Sequence, residues 1–232
     1  MLEILFQDEF IVAINKPHGL LVHRSPIAAD ASEFAIQLLR DQLGQKVYPT
    51  HRLDRKTSGV LIFALDENTN RLMQQDFMNK KVDKKYLTFV RGFAPNEGTI
   101  DYELTTDDGK VQDAITHFKT LEQFEIPVPL GKHTSSRYSL LTVNPETGRM
   151  HQIRKHLAHI FHPIIGDRPH GCNKQNKLFL EQWNMNRMLL HASEIRFTHP
   201  VTKLETHIEA AMSSEFTRML KMMKSLQNSC NK

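Results

Sequence analysis

His51-Arg52-Leu53-Asp54-Arg55-Lys56-Thr57-Ser58-Gly59 runs without a break into Val60-Leu61-Ile62-Phe63-Ala64-Leu65. The second half is a continuous apolar run of strand length. A run with no polar face predicts a strand covered on both sides. The first half is polar and turn-like, and polar loops entering such strands often display reactive side chains. Asp54 is flanked by Arg52 and Arg55, and a nearby cation keeps a carboxylate ionised even when partly buried. An ionised carboxylate can act as nucleophile or base. An ordinary turn with surface ion pairs would use the same residues, so this stretch alone leaves both readings open.

On either side of it the pattern is mostly strands. Residues 4–6 and 10–14 predict two short strands around a turn at 7–9. Asn15-Lys16-Pro17-His18-Gly19 then punctuates the chain, and Leu20-Leu21-Val22 follows. Residues 30–43 predict a helix, with Asp30 as cap, Glu33 three residues on and Gly44 as stop. Residues 68–80 predict a second, with Leu72, Met73 and Phe77 on its apolar face. Residues 86–90 and 139–143 read as strands, with a weaker β signal at 115–118. Residues 150–161 form the clearest amphipathic helix, since Met150, Ile153, Leu157 and Ile160 recur at helical spacing. A loop rich in Gly and Asn follows Pro163. Residues 188–190, 195–197 and 205–208 read as strands, and 214–227 as a last helix capped by Ser213 or Ser214. Strands outnumber helices without strictly alternating with them. The expected fold is α+β: a mixed, largely antiparallel central sheet flanked by helices, in a single domain of residues 1–232.

Composition sets wide bounds. The 232 residues are 40% hydrophobic and 24% charged, enough for a sizeable core and unlike a disordered chain. Thirty basic against 26 acidic side chains give a net charge of +4 and a pI near 9.0. A polyanion partner is allowed by that balance and not demanded. Cys172 and Cys230 are too few for a disulfide scaffold and too far apart for a zinc ribbon, so free thiols in a reducing compartment are expected. Glu3, Asp8 and Glu9 interrupt the N-terminal apolar residues, unlike a signal peptide, and no apolar stretch approaches the roughly 20 residues of a bilayer span. These features predict a soluble, cytoplasmic protein.

Two further segments could carry chemistry. Gly148-Arg149-Met150-His151-Gln152-Ile153-Arg154-Lys155-His156 continues through His159 and His162 to Gly166-Asp167. On a helix His151, Arg154 and Ala158 share one edge beside the apolar stripe, which suits either a phosphate-facing edge or a solvated face. The histidines raise a metallohydrolase reading. Against it, successive steps of three drift around a helix, no carboxylate stands at a zincin-like position, and the cysteines are isolated. Lys84-Lys85-Tyr86 opens a strand, where a tyrosine is usually a rim residue.

Taken together the segments resemble the RluA-type pseudouridine synthases. His51 to Gly59 is similar to the family's H-R-L-D-x-x-T-S-G signature. Asn15-Lys-Pro-His-Gly-Leu-Leu-Val-His23 resembles its N-K-P-x-G-x-x-V-H opening, and Lys84-Lys-Tyr86 with Val90-Arg-Gly92 its K-x-Y strand. Gly148 to Arg154, His162-Pro-Ile-Ile-Gly-Asp167 and Leu189-Leu-His-Ala192 resemble its G-R-x-H-Q-I-R helix, H-P-I-x-G-D turn and L-H-A strand, in the family's order. Met150 departs from the usual threonine. That departure, the run from Gly166 to Asn176 and the lack of an N-terminal S4 domain point to the branch that modifies uridine 65 of tRNA. Sibling enzymes act on ribosomal RNA, and a catalytically silent RNA-binding protein on the same fold is a further alternative.

The resemblance implies isomerisation of a uridine to its C-glycoside, with no cofactor, metal, membrane or obligate protein partner. Asp54 matches the catalytic aspartate, Arg154 the arginine that pairs with it, and Tyr86 the tyrosine that stacks on the base. Leu189 or Leu190 is expected against the base's other side. Arg52 matches the residue that fills the place vacated when the uridine is flipped out of its stem. Lys16, Arg24, Arg55 and Arg149 are candidates for phosphate contacts.

Overall fold

The computed structural model describes residues 1–23 and 33–230. Its elements are β1 (Glu3–Gln7), β2 (Ile11–Lys16), α1 (Ala35–Leu43), β3 (Tyr48–Pro49), β4 (Ser58–Ala64), α2 (Glu67–Met78), β5 (Asp83–Arg91), β6 (Glu97–Asp101), β7 (Leu104–Thr105), β8 (Val111–Gln112), β9 (Ile115–Ile126), β10 (Ser136–Pro145), α3 (Gln152–His159), α4 (Asn173–Trp183), β11 (Leu190–Thr198), β12 (Glu205–Glu209) and α5 (Ser214–Cys230). They form two compact units: Met1–Lys84 with His191–Ala211, and Lys85–Leu190 with Met212–Lys232.

In the first unit the apolar run after Gly59 becomes β4, and all seven of its residues are buried. β2 lies antiparallel on one side of it, and β11 lies parallel on the other through His191 beside Ser58 and Ala192 beside Gly59. β1 extends the sheet from β2 and β12 from β11, both antiparallel. Ile11, Ala13, Val60, Ile62, Ile195, Phe197 and Ile208 pack against Met73 of α2. Burial of each large aliphatic side chain there stabilises by roughly 1.5–3 kcal/mol.

In the second unit the strand order is β5-β10-β9-β6, antiparallel throughout. The strand period of two sends neighbouring residues to opposite faces. Phe89 joins Phe124, Tyr138, Phe179 of α4 and Met219 of α5 on one face. Val90 joins Leu141, Val143, and Ile153 and Leu157 of α3 on the other. The α+β class with largely antiparallel pairing is as expected.

Several boundaries differ from the sequence reading. Asp30 lies outside the described residues. α1 begins at Ala35, and Phe34 at its N-cap position makes no side-chain cap bond. Instead the carbonyls of Leu21 and Val22 accept from the amides of Ala35 and Ile36, at 2.8 and 3.1 Å. α3 is shorter than 150–161, because His151 adopts a left-handed conformation (φ 57°) and leaves Met150 outside the helix, 42% exposed. α4 occupies part of the expected loop. Its Leu178, Phe179 and Trp183 recur at helical spacing beneath a polar composition, and the last two rings touch at 4.8 Å.

Candidate active site

Asp54 sits half-buried in the turn before β4, where the Thr57 amide donates to its carbonyl at 3.0 Å. The Asn15–Gly19 segment clamps this turn. The Arg55 carbonyl accepts from the Gly19 amide at 2.8 Å and from Lys16 Nζ at 3.2 Å, while Arg55 Nε donates to the Gly19 carbonyl at 3.1 Å. Lys16 Nζ also donates to the carbonyls of Pro17 and Leu20, at 3.0 and 2.8 Å. Burial pushes the Lys16 pKa down to about 7, opposed by the negative charge of Asp54. The sequence places Lys16 on the phosphate-binding surface, and the structure corrects this. Lys16 is 0% exposed, with its ammonium directed to three backbone carbonyls, so it anchors the turn rather than meeting RNA.

The other side of the turn is fixed by β4. His51 Nε2 accepts from the Ile62 amide at 3.1 Å, and its ring stacks on Phe77 with centroids 4.6 Å apart. Desolvation first, then the charge of Lys84, drive the His51 pKa down to about 3, which keeps the ring a neutral acceptor. His191 Nε2 donates to the Ala210 carbonyl at 3.2 Å, so its Nδ1 accepts from the Ser58 hydroxyl at 2.9 Å. A Cβ on Gly59 (φ 110°) would stand 2.1 Å from the Ala192 carbonyl oxygen, so only glycine permits this approach. Thus the segments around residues 16, 54 and 191 form one hydrogen-bonded assembly in the first unit.

The second unit supplies the other candidates. Tyr86 is half-buried on β5 opposite Val143 and packs against the cluster containing Ile153, Leu157 and Leu190. Leu189 belongs to the opposite cluster, beside Phe89 and Ile165. Leu190 is therefore the leucine on the Tyr86 side. Arg154 is 5% exposed and forms a two-pronged pair with Asp167, Nε to Oδ2 and Nη2 to Oδ1, both at 2.8 Å. This burial replaces the solvated or phosphate-facing edge that the helix alone allowed. The sequence reading quotes Asp167 with this segment and gives it no role; the structure makes it the partner of Arg154. Its signal was the Gly166-Asp167 pair, whose glycine has a left-handed φ of 82° and lies against the Arg187 backbone.

Arg52 and Arg55 are exposed. Arg149 is half-buried, with Nε on the Asp113 carbonyl at 3.0 Å. Arg24 lies outside the described residues. Two of the three histidines of the metal reading meet Tyr102 and the third meets Arg91. His156 Nε2 donates to the Tyr102 carbonyl at 3.0 Å, His159 stacks on the Tyr102 ring at 3.7 Å, and His162 Nδ1 bonds the Arg91 carbonyl at 2.9 Å. Among the described residues the one group spaced to share an ion is Glu194, His207 and Glu209, where Arg196 already pairs with Glu194. No helix is long and apolar enough to cross a membrane among those residues.

Residues 10–159 match the family described as RNA pseudouridylate synthase. The chain is 45% identical over 230 residues to the tRNA pseudouridine synthase C of Vibrio vulnificus, covering 94% of each. It is 42% identical over 231 residues to that of Haemophilus influenzae, covering 95% of this chain and 97% of the relative. Among solved structures, human RNA pseudouridylate synthase domain containing 4 superposes with a TM-score of 0.73 at 26% identity, over 96% of this chain and 93% of that one. The buried β4 run, the clamped Asp54 turn and these similarities converge: the chain belongs to the RNA pseudouridylate synthase family.

Proposed function

We propose that the protein is a tRNA pseudouridine synthase that isomerises uridine 65. The similarity across 94% of both chains to a relative named tRNA pseudouridine synthase C carries this reading. In it Asp54 supplies the carboxylate that acts on the uridine, and Arg154 pairs with it in the closed site. A guanidinium beside it offsets the desolvation that would otherwise favour the protonated carboxyl in that site. Tyr86 stacks on the flipped base and Leu190 packs its other side, a choice supported by their shared apolar cluster. Arg52 fills the vacated stack, where a guanidinium plane both stacks and donates. Arg24, Arg55 and Arg149 contact phosphates. Both units act as one catalytic domain, in the cytoplasm, without cofactor or obligate protein partner.

Mapping pseudouridine in total tRNA and rRNA from cells with and without the protein tests the reading. The expected result is loss of one tRNA pseudouridine, restored by the wild-type protein and not by Asp54→Asn. Purified Asp54→Asn should still bind tRNA. A lost site in rRNA would move the substrate to ribosomal RNA. No lost site in either RNA, with binding intact, would leave a silent RNA-binding protein.

A further inference from the structure

A cavity of about 790 Å³ opens in the second unit where the end of β5, the turn between β9 and β10 and the start of α4 meet. Its walls carry one sign of charge. Arg91, Lys132, His133, Arg137 and Lys174 line it, all are exposed, and no carboxylate is among the lining residues. Arg137 reaches Glu125 at 3.2 Å. Among the described residues Arg91, Lys132 and Lys174 make no ion pair, so they add charge of one sign to one surface. The first turn of α4 carries no acidic residue and no side-chain cap, which leaves amide donors on the same side.

We propose that this cavity is a second seat for the RNA backbone, holding phosphodiester oxygens of tRNA remote from the reacting uridine. The inference rests on the tRNA reading above. Tyr86 and Arg91 both stand on β5, five positions apart, which is roughly 17 Å along the strand and, by the strand period of two, on opposite faces of the sheet, so the cavity meets tRNA away from the flipped base. The arginines can engage phosphate oxygens through two parallel bonds, and the lysines as point charges. Each phosphate neutralised releases counterions from the RNA, which raises affinity and steepens its salt dependence. Cys172 is a half-buried thiol in the cavity wall and reports on occupancy.

The test is the triple variant Arg91→Gln, Lys132→Gln, Lys174→Gln, with Lys46→Gln, outside the cavity lining, as the control for charge alone. We expect the triple variant to keep its melting temperature. Its tRNA affinity should fall about tenfold or more, and its slope of log Kd against log salt should flatten by roughly one for each phosphate left without its cation. The loss should appear in KM for tRNA. In the wild type, saturating tRNA should slow iodoacetamide alkylation of Cys172, read by peptide mass spectrometry. Unchanged affinity and slope in the triple variant would overturn the proposal, as would alkylation at one rate with and without tRNA. A polyglutamate peptide that bound as tightly as tRNA and shared the loss would overturn it in favour of an acidic protein partner. Pseudouridine formation by the wild type tests the tRNA reading separately. Its absence, with steep tRNA binding still flattened in the triple variant, would remove the activity and keep the RNA seat.

Discussion

Arg154 and Asp167 face each other through two hydrogen bonds of 2.8 Å, with side chains only 5% and 1% exposed. The acid is itself held. Its carbonyl accepts from Asn176 Nδ2 at 2.7 Å, and Asn176 Oδ1 accepts from the Gly166 amide at 2.8 Å. The guanidinium on α3 is thus oriented from a loop that precedes α4. Orientation of a cation by a second residue is a common support for reactive groups.

Asp167→Asn keeps the shape of that partner and removes its charge. Removing the charge of one partner from a buried ion pair costs on the order of 3–5 kcal/mol. The expected outcome is a clear drop in melting temperature together with a loss of turnover. Arg154→Lys, which keeps the charge but not the fork, should lose turnover with a smaller loss of stability. Wild-type turnover in either variant would detach the pair from catalysis.

Arg52→Ala should slow base flipping more than chemistry, because the exposed guanidinium no longer fills the stack. A tRNA stem carrying a mismatch at the target uridine removes the unpairing cost and should recover part of the rate. Single-turnover rates on paired and mismatched substrates make the comparison. Equal defects on both would count against intercalation.

Lys16 ties stability to pH with a definite sign. Its pKa is about 7 in the folded protein, against 10.5 for the free side chain. Between those values the unfolded chain binds more protons, so this group's contribution to stability rises with pH across that window and is flat below it. Chemical denaturation of wild type and Lys16→Met from pH 6 to 10 isolates it. The wild-type stability minus that of the variant should climb by a few kcal/mol. A flat difference would show that the ammonium is no harder to charge in the fold than in water.

Gly59→Ala should destabilise the protein by more than an ordinary glycine substitution. The new Cβ would collide with backbone, which cannot swing away as a side chain can. We expect a lower denaturation midpoint and weaker amide protection along β4 and β11. A midpoint equal to wild type would mean that the two strands separate at little cost.

Much of this architecture is legible in the residues alone. The 60–65 run announces a doubly covered strand because no polar residue interrupts it, and Asp66 caps α2 through the Thr69 amide at 2.9 Å, so that α2 begins at Glu67, one residue before the helix expected there. The site motifs can be placed on turns and strands by their Gly and Pro. What stays hidden is tertiary. β9 runs to Ile126 although Glu122, Gln123 and Glu125 interrupt its second half, because β10 supplies the pairing. Nothing local distinguishes Lys16 from a surface lysine. Its burial follows from three carbonyls that converge only when the turn at Arg55 folds onto it. The Arg154–Asp167 pair spans 13 residues and a loop, beyond any helical periodicity.

The Ser58–His191 bond joins groups 133 positions apart in the chain. Until residue 192 has been made, β4 has no parallel neighbour at Gly59, and until residue 210 has been made, His191 lacks the carbonyl that selects its tautomer. Pairings of such sequence separation close late, since loop-closure entropy opposes them until much else is in place. A nascent chain can therefore carry the Asp54 turn with its Asn15–Gly19 clamp and still lack the brace that His191 adds.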